Sequence, residues 1–178
     1  MPRVKAFLLL PLLVAFPGLS WALGRPGVVI AAQSIARSDR KAAERRDCST
    51  FVLCAYQDAG CPIHLQPADD SIPRSETMYE QMKKDAHLVK APAAGDIAFF
   101  RNTTADSDGG GVTHVALVEK IEADGTVLLL QRLSNGVKES RMNLAFPHDP
   151  ARNSYLKRSH SPGEPVLSGE LFVAYGRP

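Results

Sequence analysis

The stretch RRDCSTFVLCAYQDAGC (residues 45–61) carries the reading of the fold, because an apolar run at helical spacing begins there at a cysteine set between an aspartate and a serine. Phe51, Val52, Cys54 and Ala55 fall on one face, Gln57 and Asp58 form a polar end, and Gly60 is placed as a C-terminal stop. The pattern predicts a core-facing helix of about three turns. A thiol in the first turn sits among backbone N–H groups that lack an intrahelical partner, where the helix dipole favours negative charge. That position lowers a thiol's pKa, and thiolate is the nucleophilic form, so Cys48 is a candidate nucleophile.

The chain has 178 residues and three cysteines, an odd number that leaves one to be explained apart from any disulfide. Cys54 and Cys61 flank the helix end, and either a bridge folding the loop back or a pair of thiols fits them. A metal site from Cys48, Cys54, Cys61 and His64 is a further alternative, but the spacing lacks the short Cys-x-x-Cys pairs of structural zinc, and no metal is expected.

Residues 1–22 read as an export signal, with Arg3 and Lys5, an apolar run over 6–16, a Pro-Gly break and Ser20-Trp21-Ala22 before cleavage. The run is too short to span a bilayer, which needs about 20 apolar residues. No membrane span is expected, and the protein is read as exported, periplasmic or secreted. Loss of Arg3 and Lys5 with the signal takes the formal charge from +2 to zero. Without a basic excess, nucleic acid is a poor partner. Residues 23–178 suffice for one domain with a real core.

Helical patterns come first and strand patterns later, which predicts an α+β domain with a late antiparallel sheet. A short helix is expected over 27–37, and a third over 76–85, capped by Ser75 and burying Met78, Tyr79 and Met82. A strand is expected over 97–100, followed by the polar loop RNTTADSDGGG. THVALVEKI, TVLLLQRL and VKESRMN then make a three-stranded meander, turning at Asp124-Gly125 and Asn135-Gly136. Residues 147–165 read as irregular and GELFVAYGRP as a last strand closing the sheet.

A cysteine nucleophile needs a base close in space. His114 opens a strand directly after the glycine-rich loop, held by the sheet and open to a cleft, and is preferred to His64, His87, His148 and His160. For any single histidine a surface or hydrogen-bonded core role competes.

DCSTFVLCAYQDAG, APAAGDIAFF, GVTHVALVEKI and GELFVAYGRP, taken in order, resemble the successive motifs of the NlpC-type cell-wall cysteine peptidases. The resemblance implies a papain-like α+β fold and hydrolysis of peptide amides in peptidoglycan, commonly the γ-D-glutamyl bond to the diamino acid, with a stem peptide as partner and no cofactor. It makes Cys48 the nucleophile, His114 the base, and Asp47 and Ser49 the substrate-amine and site-shaping positions. It gives Gln131 the part of orienting the imidazole. A two-residue turn at Asp124-Gly125 would pair Val118 with Gln131, leaving Gln131 and His114 on one face but ~13 Å apart along the strand. Contact then requires a bulge or a longer turn. Asn135 faces His114 in that ideal register and is the alternative orienter.

Before the cysteine, RSDRKAAERRD lacks the Tyr and the Gly-Gly pair of the family pattern. Arg45 and Arg46 there fit either a substrate carboxylate or a solvated pair. Three readings follow: a peptidoglycan endopeptidase; a related cysteine- and histidine-dependent amidase or antibacterial effector; and a catalytically silent wall-binding domain.

Overall fold

The computed structural model describes residues 25–38, 47–67, 71–104, 110–157 and 166–178. The export-signal segment, His160 and Arg45-Arg46 lie outside them. Three helices come first: α1 (Pro26–Arg37), α2 (Cys48–Asp58) and α3 (Arg74–Lys84). The strands β1 (Leu88–Val89), β2 (Ile97–Arg101), β3 (Val112–Ile121), β4 (Val127–Leu133) and β5 (Gly136–Met142) follow. The chain then forms β6 (Tyr155–Lys157), β7 (Val166–Leu167), the one-turn helix α4 (Ser168–Leu171) and β8 (Phe172–Gly176). This is the α+β order expected.

The helix α2 owes its limits to local chemistry. Asp47 adopts an extended conformation and its side chain accepts from the Thr50 N–H at 2.7 Å, an N-cap that fixes Cys48 as the first helical residue. At the other end Gly60 takes φ +75°, and the Gly60 and Cys61 amides donate to the Gln57 and Tyr56 carbonyls, both at 3.0 Å. Only a residue without a Cβ enters that left-handed turn freely.

The helix α3 corrects the expected cap. It begins at Arg74 behind Pro73, and Ser75 is not its cap. The buried Ser75 hydroxyl donates to the Val112 carbonyl at 2.9 Å, and the Glu76 carboxylate accepts from the Val112 N–H. The helix thereby grips the first residue of β3, two positions before His114.

Six strands form one sheet in the order β1-β8-β2-β3-β4-β5. Side chains alternate across it. One face presents Ile97, Phe99, Val115, Leu117 and Leu130 to Val28, Val52, Ala55, Tyr56 and Met78 of the helices. The other gathers Ala98, Phe100, Ala116, Val118 and Leu129 with Met142 of β5 and Tyr175 of β8, and with Leu171 of α4, in a second cluster. The β3–β4–β5 meander is as expected.

The last strand is not. It does not close the sheet at an edge: β8 lies between β1 and β2, and the two-residue strand β1, absent from the sequence reading, is the edge. Arg177 follows β8 and forks onto the buried Asp96, with Nε at 2.8 Å and Nη2 at 2.7 Å from its carboxylate oxygens. That pair ties the C-terminal strand to the entry of β2. The stretch read as irregular, 147–165, contains β6, which pairs with β7 in a separate two-stranded sheet.

Candidate active site

Two local departures from ideal pairing build the site. The turn after β3 is longer than the two residues expected: the Glu122 N–H donates to the Thr126 carbonyl at 2.8 Å, so Ala123, Asp124 and Gly125 form a three-residue loop. A bulge then falls between Val118 and Lys120. Together they slide β4 so that Val118 faces Leu129 instead of Gln131. Each shift follows from one extra residue on the β3 side, which no period-2 pattern records.

The result is the contact that the ideal register forbade. His114 Nε2 lies 2.7 Å from Gln131 Oε1, with His114 7% and Gln131 2% exposed. The alternative orienter, Asn135, sits exposed in the β4–β5 turn, because Leu133 pairs with Gly136 and the turn residues are Ser134 and Asn135. An amide oxygen only accepts, so Nε2 of the neutral ring carries the proton and Nδ1 is the basic nitrogen.

The pairing of β3 with β4 runs from Ile121 opposite Val127 to Leu117 opposite Leu130. Past that point β3 continues along β2 to Val112, with an irregularity that leaves Thr113 unpaired, while β4 continues along β5 to Leu133. The two strands part, and the opening is a cleft of about 650 Å³. Cys48 and His114 both line it, with Asp47, Thr113, Arg132 and Leu156 among the other walls. The Thr103 and Thr113 hydroxyls, 2.8 Å apart, brace the rim.

Cys48 differs from the sequence expectation. Burial pushes its thiol above the usual value of 9.0, the Asp47 carboxylate adds to the rise, and hydrogen bonds from the Val115 amide and from Ser49 only partly oppose it. The helix N-terminus does supply donors, but removal from water outweighs them. His114 moves the opposite way: burial lowers its pKa from 6.5, with the Gln131 bond working against the fall. Both shifts favour the uncharged forms, a neutral thiol and a neutral imidazole, around neutral pH.

Asp47 lines the cleft and caps α2 at the same time. Ser49 does not line it: 2% exposed, it hydrogen-bonds the Cys48 thiol through its side chain and its backbone. Three other histidines stand apart on the surface: His64, His87 and His148, the last bonded to Glu170 at 2.7 Å. No disulfide joins Cys54 and Cys61, and no group of three or more His, Cys, Asp or Glu is placed to hold a metal among the described residues. No helix among them is long and apolar enough to cross a membrane.

Arg132, Thr103, Thr113 and Leu156 were missed as site residues. For Arg132 the signal was strand alternation, since a side chain following Gln131 must leave β4 on the other face.

The model of the CHAP domain family matches residues 39–132, a span of more than half the chain that contains Cys48, His114 and Gln131. No curated protein matches the chain. CHAP domains occur in NlpC-type and amidase peptidoglycan hydrolases, the cell-wall class to which the sequence motifs pointed. With the Cys48 thiol and the His114 imidazole lining one cleft inside the matched span, the chain belongs to the CHAP domain family, whose membership supports a hydrolase acting on peptidoglycan.

Proposed function

We propose that the protein is an exported cysteine peptidase that cleaves a stem-peptide amide of peptidoglycan, the γ-D-glutamyl bond to the diamino acid. The observation that carries this is the shared cleft: the Cys48 thiol and the His114 imidazole line it together, and Gln131 fixes which ring nitrogen is basic.

In this reading His114 Nδ1 takes the thiol proton as the sulfur attacks the amide carbonyl. Transfer is coupled to attack because the resting thiol is neutral. The tetrahedral oxyanion meets the Cys48 backbone N–H at the start of α2. The Nε2–H bond to Gln131 strengthens as the ring becomes imidazolium, since charge-assisted bonds are roughly twice as strong as neutral ones. The imidazolium then protonates the leaving amine. Water, deprotonated by the regenerated imidazole, hydrolyses the thioester and returns the thiol.

A second reading, an amidase that releases the stem peptide from the glycan, draws on the family match, because CHAP domains occur in both kinds of hydrolase. The test is incubation of mature protein and its Cys48→Ala variant with bacterial sacculi, with released fragments read by mass spectrometry. Fragments with a free γ-D-glutamyl carboxylate are expected from the parent protein only. Free lactyl ends on the glycan would select the amidase, and no release by either protein would sink both readings. A silent wall-binding domain has no use for a buried imidazole and a thiol lining the same cleft.

A further inference from the structure

We propose that Arg132 is the carboxylate anchor of the cleft, binding a free carboxylate of the substrate beside the scissile amide and so setting which stem peptides are cut. The inference deepens the endopeptidase reading and rests on it.

Arg132 is held where an anchor needs to be. Strand β4 pairs rigidly with β5 there, Gln131 opposite Lys138 and Arg132 opposite Val137. Successive side chains leave a strand on opposite faces. Gln131 therefore turns to the imidazole while Arg132 leaves toward the helix side with Leu130, and lines the cleft with Asp47 and Cys48. Orientation of the base and recognition of the substrate then come from neighbouring residues of one strand, locked in register with each other.

Charge supports the assignment. Among the described residues lining the cleft, Asp47 and Arg132 carry the formal charges, with burial favouring the neutral form of His114. One Asp47 oxygen is committed to the Thr50 amide. A guanidinium presents five donors in a planar fork that fits a carboxylate through two parallel bonds. Arg132 also interacts within the protein, and five donors suffice for both partners. A γ-linked glutamyl residue has the matching chemistry: its side-chain carboxyl forms the scissile amide and its α-carboxylate stays free, about 5 Å from the scissile carbonyl carbon by bond lengths. With that carbonyl at Cys48, the α-carboxylate lies within the same cleft, whose lining includes Arg132.

The experiment compares two synthetic stem peptides, one γ-D-glutamyl with a free α-carboxylate and one with that group as a carboxamide, cleaved by the mature protein, Arg132→Gln and Arg132→Lys. Loss of a bond to a charged group predicts that the parent protein prefers the carboxylate peptide by about 10–100-fold in kcat/KM. Arg132→Gln is expected to erase the preference by slowing the carboxylate peptide far more than the carboxamide peptide, and Arg132→Lys to restore part of it. The carboxamide peptide doubles as a control for folding. Equal cleavage of both peptides by the parent protein would overturn the proposal, as would an equal loss on both in Arg132→Gln. Cleavage of neither by the parent protein would mark failure of the endopeptidase reading, and this inference would fall with it.

Discussion

Replacing Gln131 by Leu removes the acceptor of the His114 Nε2–H and keeps most of the buried volume, so it isolates one hydrogen bond. In the resting protein a buried donor loses its partner at a cost of about 1–3 kcal/mol. For a domain of this size that lowers Tm by about 2–12 °C. Catalysis adds a separate loss. The bond is neutral before proton transfer and charge-assisted after it, a difference of about 1–2 kcal/mol, or about 5–30-fold in kcat. The pH profile distinguishes this from simple loosening. The Gln131 bond raises the His114 pKa against burial, so its removal lets burial act alone and moves the acid limb of kcat/KM to lower pH. Gln131→Glu should do the opposite, since a carboxylate opposite the ring favours the imidazolium. The assay is hydrolysis of a stem peptide from pH 4.5 to 8.5 with melting curves at each pH. A kcat within twofold of the parent value for Gln131→Leu, or an acid limb that moves upward, would refute the reasoning.

Three further outcomes are expected. Iodoacetamide should label Cys48 slowly at pH 7.5 and faster through pH 9 and above, because burial holds the thiol protonated; rapid labelling that is flat from pH 5 to 8, mapped by peptide mass, would show a preformed thiolate instead. Stability should fall as pH drops below about 6.5, the unfolded value for His114: its folded pKa is lower, so in that window the unfolded chain binds more protons and acid favours it. Urea midpoints at pH 5 and 7.5 test this, and a His114→Gln variant with an unchanged pH dependence would count against it. Arg177→Ala strands the Asp96 carboxylate, 1% exposed, and should cost about 3–5 kcal/mol, read from denaturant titration; a cost under about 1 kcal/mol would mean the pair does not tie β8 to β2.

The parts of the site that follow from local chemistry were legible in the sequence. Cys48 at a helix start, Gly60 as a stop and His114 near the start of a strand each depend on a few neighbouring residues. The pairing of His114 with Gln131 was legible only as a requirement for a bulge or a longer turn, and both are present. Their positions depend on packing: Glu119, at the bulge, accepts from Gln33 Nε2 of α1 at 2.6 Å, a contact between residues 86 apart. The thiol pKa was misjudged for a related reason. The helix terminus is visible in sequence, whereas the burial that overrides it comes from strands more than sixty residues away. The place of β8 between β1 and β2 escaped notice because sequence order gives no rule for where a returning strand inserts, and the Asp96–Arg177 pair that anchors it joins two distant motifs.

The most direct test of the account is to trap the covalent intermediate. The mature protein, mixed with a γ-D-glutamyl stem peptide and quenched in acid during turnover, should show by intact mass an acyl adduct equal to the substrate's N-terminal fragment, mapped to Cys48 and discharged by hydroxylamine. Undiminished peptide release by Cys48→Ala, or an adduct carried by any residue other than Cys48, would contradict it.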